Sequence, residues 1–106
     1  MSAPLSIAAV EARPESAAVG AEEAPLISVV IPCLDEAESI AECVAKARRG
    51  IAASGLAGEV LVVDNGSTDG TPELAARAGA RVVHESRRGY GSAYLRGFRE
   101  ARGRYL

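Results

Sequence analysis

A short polar segment follows an apolar run and has the residue types of a ligand-binding turn. Residues 60–63 are apolar and rich in β-branched side chains, which is typical of a strand buried on both faces of a parallel sheet. Residues 64–69 follow with the sequence Asp-Asn-Gly-Ser-Thr-Asp. Open α/β sheets bind ligands at the carboxyl ends of their strands. The segment therefore predicts a polar site at that edge, although a tight turn without a ligand uses the same residue types.

Basic residues are concentrated at the other end of the chain. The net charge is −2, but residues 77–106 contain eight arginines and two glutamates, whereas residues 1–35 contain five acidic residues and one arginine. A basic region of this kind suits a phosphate-bearing partner, and an ordinary solvated surface is the alternative.

Composition sets limits on the class of protein. A length of 106 residues suits one domain with a modest core, and with 4% aromatic residues that core must be aliphatic. Cys33 and Cys43 form no CxxC pair, and His84 is the single histidine, so a zinc site of His and Cys and a disulfide framework are both excluded. No apolar run approaches the length of a membrane span. We expect a cytoplasmic protein, which would lie at the cytoplasmic face of a membrane if the full-length protein carries membrane helices.

Apolar runs and amphipathic segments alternate along the chain. The runs at 27–31, 60–63 and 81–83 predict three strands with helices between and after them, and residues 104–106 predict the start of a fourth strand. This alternation predicts an α/β fold with a Rossmann-like parallel sheet and helices on both faces. Residues 1–24 lack sustained periodicity and are expected to be a disordered tail before a domain at 25–106.

Local signals predict where the helices begin and how the last one packs. Asp35 is expected to cap the first helix, with Glu36 and Glu38 in its first turn, and Thr71 is expected to cap the second. Ala93, Gly97 and Ala101 form a small-residue stripe, which would let the third helix lie close to the sheet. That helix is expected to run to about residue 101.

Other ligand-binding motifs are incomplete. Gly89-x-Gly91 has Tyr94 where a dinucleotide fingerprint needs its third glycine, and no phosphate-binding P-loop is present. A calcium loop that began at Asp64 would need ligands at Gly66 and Ala75, and neither residue supplies one. An aromatic stripe along the third helix, beside arginines, would suit nucleic acid, but this spacing is more often core or partner contact. We therefore expect no nucleic-acid partner.

Three segments together resemble the inverting family 2 glycosyltransferases. They are residues 29–36 (Val-Val-Ile-Pro-Cys-Leu-Asp-Glu), 62–69 (Val-Val-Asp-Asn-Gly-Ser-Thr-Asp) and 88–93 (Arg-Gly-Tyr-Gly-Ser-Ala). The nearest relatives look like polyprenyl-phosphate mannosyl- or glucosyltransferases and glucosyl-3-phosphoglycerate synthases. The resemblance covers about residues 26–106. It implies the N-terminal half of a GT-A fold, which binds the nucleotide of a UDP- or GDP-linked sugar.

The resemblance also implies which residues bind that nucleotide. In the family, a Pro-x-x-Asn-Glu loop surrounds the base and ribose. The matching residues here are Pro32, Cys33, Leu34, Asp35 and Glu36. Asp35 departs from the pattern, because a carboxylate that only accepts hydrogen bonds replaces an amide that also donates them.

The other two segments supply the remaining candidates. Asp64, Asn65 and Ser67 match an Asp-Asp-Gly-Ser motif, in which the second acidic position commonly meets the base edge and here is Asn65. Arg88, followed by Gly89, falls where a basic residue approaches the diphosphate, which suits arginine–phosphate geometry.

The resemblance places the chemical step outside these residues. The family's metal-binding Asp-x-Asp and its catalytic base correspond to positions beyond Leu106, so Mg²⁺ or Mn²⁺ is expected in the intact enzyme without ligands from this chain. Asp64 and Asp69 are not assigned as substitutes. We expect these 106 residues to be the donor half of a transferase and inactive alone.

Two alternatives stay open from the sequence. The first is a module that only binds a nucleotide, or an inactive remnant. The second is a nucleotidyltransferase, although residues 32–36 are not the glycine-rich basic loop that such an enzyme would need after its first strand. The acceptor is expected to be a polyprenyl phosphate or a small phosphorylated compound. The sequence does not determine the nucleotide base or the sugar of the donor.

Overall fold

The computed structural model describes residues 26–103, which alternate between strands and helices. The elements are β1 (Ile27–Cys33), α1 (Ile40–Ser54), β2 (Gly58–Asp64), α2 (Thr71–Ala78), β3 (Arg81–His84) and α3 (Tyr90–Glu100). The predicted tail at 1–24 and the predicted fourth strand at 104–106 lie outside the described residues. Within residues 26–103, no helix combines the length and hydrophobicity needed to cross a bilayer.

The three strands form one parallel sheet in the order β1-β2-β3. Cys33 lies opposite Asp64, and Asp64 lies opposite His84, so all three strands end at the same edge. The predicted α/β fold with parallel pairing of the first two strands is confirmed. β1 continues two residues beyond the expected 27–31, because Pro32 and Cys33 stay paired with the end of β2.

Each face of the sheet is covered by helices, as predicted. Consecutive residues of β1, such as Val30 and Ile31, point to opposite faces. Ile31 packs with Ile40 and Val44 of α1, while Val30 packs with Ala93 of α3. Burial on both faces explains why the strand sequences are continuously apolar rather than alternating.

The small-residue stripe of α3 brings that helix close to the sheet, as predicted. Ala93 and Gly97 are buried against β1 and β2. A Cβ atom at Gly97 would collide with Val30 Cγ1 and would lie 3.2 Å from Val63 Cγ2. Tyr94 and Phe98 stack with ring centroids 5.9 Å apart and pack against the same core. The close approach fixes the position of the loop that leads into α3.

Two predicted helix starts are wrong. α1 begins at Ile40 after Ser39, so Asp35 is not its cap, and neither Glu36 nor Glu38 lies in its first turn. Asp35 instead adopts a left-handed φ of 52° and bonds to another loop. Bonds between loops replace the expected helix cap.

The start of α2 differs by one residue. Gly70 is the N-cap, and Thr71 is the first helical residue. The Thr71 hydroxyl donates to Asp69 Oδ1 and accepts a bond of 2.9 Å from the Glu36 N–H. Its hydroxyl therefore links two loops instead of capping its own helix.

Candidate functional site

Three loops at the carboxyl edge of the sheet enclose a cleft of about 760 Å³. They are the β1–α1 loop (residues 34–39), the β2–α2 loop (65–70) and the β3–α3 loop (85–89). The cleft is lined by Leu34, Asp35, Glu36, Asn65, Gly66, Ser86, Arg88, Gly89 and Tyr90. The polar site predicted at this edge is therefore formed by side chains from all three loops.

Hydrogen bonds join the β1–α1 loop to the β2–α2 loop. Asp35 N–H donates to Ser67 Oγ over 2.8 Å, and Asp35 Oδ1 accepts from Thr68 N–H over 2.8 Å. Next to this pair, Ala37 N–H donates to Asp69 Oδ2 over 3.1 Å. With the bond from Glu36 to Thr71, four contacts hold the two loops together. One wall of the cleft is thereby fixed by residues more than thirty positions apart in the sequence.

The residues beneath the cleft are buried and already bonded. The Asp64 carboxylate is 2% exposed, and its Oδ2 accepts from the N–H groups of Gly66 at 3.1 Å and Ser67 at 2.9 Å. The Cys33 thiol donates to Asp64 Oδ1 at 3.5 Å. Burial, and then the charge of Asp64, raise the pKa of Cys33 far above its ordinary value. Cys33 is therefore a neutral core side chain.

Asn65 joins the β2–α2 loop to the β3–α3 loop. Its Nδ2 donates to the carbonyl oxygens of Glu85 at 2.8 Å and Arg87 at 2.7 Å, and its Oδ1 accepts from Gly89 N–H at 2.9 Å. An amide carries two N–H donors. Both donors of Asn65 are thus used within the protein, and only the second lone pair of Oδ1 is open to a ligand.

The β3–α3 loop is also held by a buried glutamate. Glu85 is 4% exposed, and its Oε2 accepts from Arg87 N–H at 2.8 Å and from Arg87 Nε at 3.4 Å. The bond from the Arg87 backbone is the main reason that the pKa of Glu85 lies below its ordinary value. The other oxygen, Oε1, lies 3.9 Å from the guanidinium of Arg99. Glu85 is therefore an ionised anchor within the loop.

The loops after the two outer strands, β1 and β3, form two walls of the cleft and carry opposite charges. Arg88 is exposed and lines one wall, together with Tyr90 at the first position of α3. Asp35, which is exposed, and Glu36, which is buried, line the wall formed by the β1–α1 loop. Burial raises the pKa of Tyr90, with a further contribution from Glu36, so its hydroxyl stays protonated and can donate a hydrogen bond. The positive end of the α3 dipole lies on the same side as Arg88.

The cleft gathers six of the ten residues predicted to bind the nucleotide. Those six are Leu34, Asp35, Glu36, Asn65, Arg88 and Gly89. Pro32 and Cys33 are buried in β1 and do not line the cleft, and their part in nucleotide binding stays a prediction. Asp64 and Ser67 lie under the cleft and shape its loops.

Three residues that line the cleft are not among the ten nucleotide-binding candidates. They are Gly66, Ser86 and Tyr90. The spacing of Tyr90 groups it with Tyr94 and Phe98, but only the latter two pack in the core. The sequence feature that could have indicated a place for Tyr90 in the cleft is its position directly after Arg88 and Gly89, at a helix N-terminus.

The described part of the cleft offers no set of metal ligands. Among residues 26–103, no three His, Cys, Asp or Glu side chains cluster as a cation site would require. The carboxylates of Asp64 and Asp69 accept bonds from the backbone of their own turns. These two carboxylates therefore take part in the fold of their own turns.

Comparison with known proteins identifies the family to which this architecture belongs. The profile described as glycosyl transferase family 2 matches residues 28–106. The chain belongs to glycosyltransferase family 2. This agrees with the resemblance seen in the three sequence segments. No solved structure matches the chain.

Several curated members of family 2 are similar to the chain. A low-salt glycan biosynthesis hexosyltransferase of Haloferax volcanii is 45% identical over 78% of this chain and 20% of its own length. A glucosyl-3-phosphoglycerate synthase of Mycolicibacterium paratuberculosis is 39% identical over 73% of this chain and 25% of its own. A dolichol-phosphate mannosyltransferase of Mycosarcoma maydis is 32% identical over 89% of this chain and 35% of its own. The chain thus spans between a fifth and about a third of these relatives.

Proposed function

We propose that the cleft binds the nucleotide part of a UDP- or GDP-linked sugar. We further propose that the whole protein transfers a hexose from that donor to a phosphorylated acceptor with inversion at the anomeric carbon. Family membership supports the transferase class. The observation that carries the donor-binding proposal is that the cleft lining brings Arg88 of the β3–α3 loop together with Asp35 and Glu36 of the β1–α1 loop, which follow the two outer strands of the sheet.

The acidic wall suits the nucleoside. Ribose hydroxyls donate hydrogen bonds, and the exposed carboxylate of Asp35 can accept them, with the buried carboxylate of Glu36 beside it. Leu34 is 44% exposed at the same wall and offers an apolar surface to the face of a base. Because Asp35 is fixed by Ser67 and Thr68, little order has to be created when a ligand binds.

The basic wall suits the diphosphate. A guanidinium forms two parallel bonds with phosphate oxygens, and Arg88 makes no hydrogen bond to another described residue that would compete. The N-terminus of α3 adds favourable potential for an anion. The nucleotide would therefore lie with its ribose at Asp35 and Glu36 and its phosphates at Arg88.

The relatives support the choice of sugar and acceptor. Their names specify a hexosyltransferase, a glucosyl-3-phosphoglycerate synthase and a dolichol-phosphate mannosyltransferase. Two of these three names contain a phosphorylated compound. A hexose donor and a phosphorylated acceptor, either a polyprenyl phosphate or a small molecule, are therefore proposed for the whole protein.

The donor-binding proposal is tested by chemical-shift titration of the 106-residue chain with UDP, GDP, uridine and guanosine. We expect dissociation constants near the millimolar range, about −4 kcal/mol. Arg88→Ala should weaken diphosphate binding by about 1.5 kcal/mol, since it removes charge-assisted bonds, and should leave the nucleosides unaffected. Arg87→Ala is the matched control, because it removes the same charge from a neighbour that is paired with Glu85.

Two results would contradict the proposal. In the first, UDP and GDP shift only resonances far from residues 32–36, 64–67 and 88–90. In the second, Arg87→Ala and Arg88→Ala weaken UDP equally, which would mean that net charge rather than the position of Arg88 attracts the ligand.

A further inference from the structure

We propose that Asn65 is a positioning residue whose side-chain amide holds the β3–α3 loop so that Arg88 faces the cleft. This differs from the base-reading role that the family resemblance implies for its position. The inference rests on the proposed function only for the nature of the ligand that Arg88 meets. The contacts that fix the loop are independent of any ligand.

The hydrogen bonds of Asn65 enclose Arg88 on both sides. The amide donates to the carbonyl of Arg87, the residue before it, and accepts from the N–H of Gly89, the residue after it. A third bond reaches the carbonyl of Glu85, where β3 has just ended. Arg88 itself forms none of these bonds. Its backbone is fixed while its side chain remains available to the cleft.

The rest of the loop depends on this amide. Glu85 N–H is bonded to the Asp64 carbonyl at the start of the loop, and the Arg87 N–H bond to Glu85 lies within the loop. At the far end, Gly89 has a φ of 103°, which L side chains rarely adopt. Among the described contacts, Asn65 is the residue that joins the 87–89 segment to the neighbouring loop. Without it, the Arg88 backbone would lose its fixed orientation.

A carboxylate cannot take the place of this amide. Asn65→Asp keeps the size of the side chain but exchanges two N–H donors for oxygen, which would face the carbonyl oxygens of Glu85 and Arg87. Two hydrogen bonds would become two repulsive contacts. The acidic residue expected from the family motif is therefore unsuited to this loop conformation.

The composition of the chain allows the side-chain amide of Asn65 to be identified directly by NMR. Asn65 is the only asparagine, and the chain contains no glutamine, so a ¹H–¹⁵N spectrum of the full chain should show one side-chain NH₂ pair. We expect both of its protons to exchange slowly with water and to show NOEs to the β3–α3 loop. This measurement needs neither a variant nor a ligand. Rapid exchange of both protons in the folded chain would overturn the proposal.

Variants separate positioning from base reading. In Asn65→Asp and Asn65→Ala, we expect the Gly89 amide to exchange at least about tenfold faster and UDP to bind about tenfold more weakly, as loss of one or two bonds predicts. Uridine affinity should stay within about twofold. Thr68→Ala is the control, because this side chain lies in the same loop as Asn65 and the Thr68 contact to Asp35 is made by its backbone. Thr68→Ala should change neither the exchange rate of the Gly89 amide nor the affinity for UDP.

The outcomes distinguish this inference from the proposed function. If uridine and UDP weaken equally while Gly89 exchange is unchanged, Asn65 reads the base and the inference is wrong. If the wild-type chain binds neither nucleotide, the donor-binding proposal fails. In that case, the NH₂ protons and the Gly89 amide still decide whether Asn65 holds the loop.

Discussion

Gly97 tests whether the close approach of α3 to the sheet determines stability. A Cβ atom at this position would collide with Val30 Cγ1 and lie 3.2 Å from Val63 Cγ2. Overpacking a well-filled core typically costs about 1–3 kcal/mol. Replacing glycine by alanine inside a helix contributes about 1 kcal/mol in the opposite direction. Gly97→Ala should therefore lower the free energy of unfolding by about 0–2 kcal/mol.

Gly50 provides a matched control for the helix contribution. It lies inside α1, is exposed, and has no atom within 4 Å of the position that a Cβ would occupy. Gly50→Ala should raise the free energy of unfolding by about 0.5–1 kcal/mol, because only the backbone preference changes. The two variants should thus differ by roughly 1–3 kcal/mol, although the chemical change is identical.

Urea denaturation followed by circular dichroism measures this difference. With a slope of about 1 kcal/mol per molar urea, the two midpoints should be separated by about 1 M or more. If Gly97→Ala stabilises the chain as much as Gly50→Ala does, the contact between α3 and β1 is looser than described. In that case α3 would not fix the position of the β3–α3 loop either.

Two further predictions concern Asp35 and Glu59. Asp35→Ala should cost about 1–3 kcal/mol of unfolding free energy, because it removes the bond to Thr68 N–H and places alanine at a φ of 52°, whereas Asp35→Asn should cost less than about 0.5 kcal/mol. Urea denaturation of both variants is the measurement, and equal losses would argue against the loop-to-loop role. Burial opposes ionisation of Glu59, but hydrogen bonds from Arg81, the Arg102 backbone and Ser28 outweigh it and lower its pKa. Since the folded pKa lies below the unfolded one, this stabilisation exists above the ordinary glutamate pKa and is lost as the pH falls. In Glu59→Gln, the melting temperature should therefore fall less steeply than in the wild type as the pH is lowered. An equally steep fall in both proteins would show that Glu59 contributes little.

The sequence by itself determined the sheet and the edge at which the site lies. Three apolar runs separated by helical segments allow few arrangements other than a parallel sheet with crossovers. The polar turns that follow the first two strands then had to meet at the carboxyl edge, because the strands are parallel and in register. The stripe of Ala93 and Gly97 likewise specified a close helix. These features depend on local periodicity, which a single sequence carries.

Only the tertiary structure decided what each polar side chain does at that edge. Asp35 and Thr71 have the residue types of helix caps, yet both bond across to another loop. Asn65 has the position of a base-reading residue, yet it holds the loop around Arg88. Their partners lie about twenty or more residues away in the chain, so no local pattern records them. A short polar side chain forms hydrogen bonds with the donors and acceptors that the folded backbone brings within about 3 Å. Which groups those are depends on how the strands align the loops.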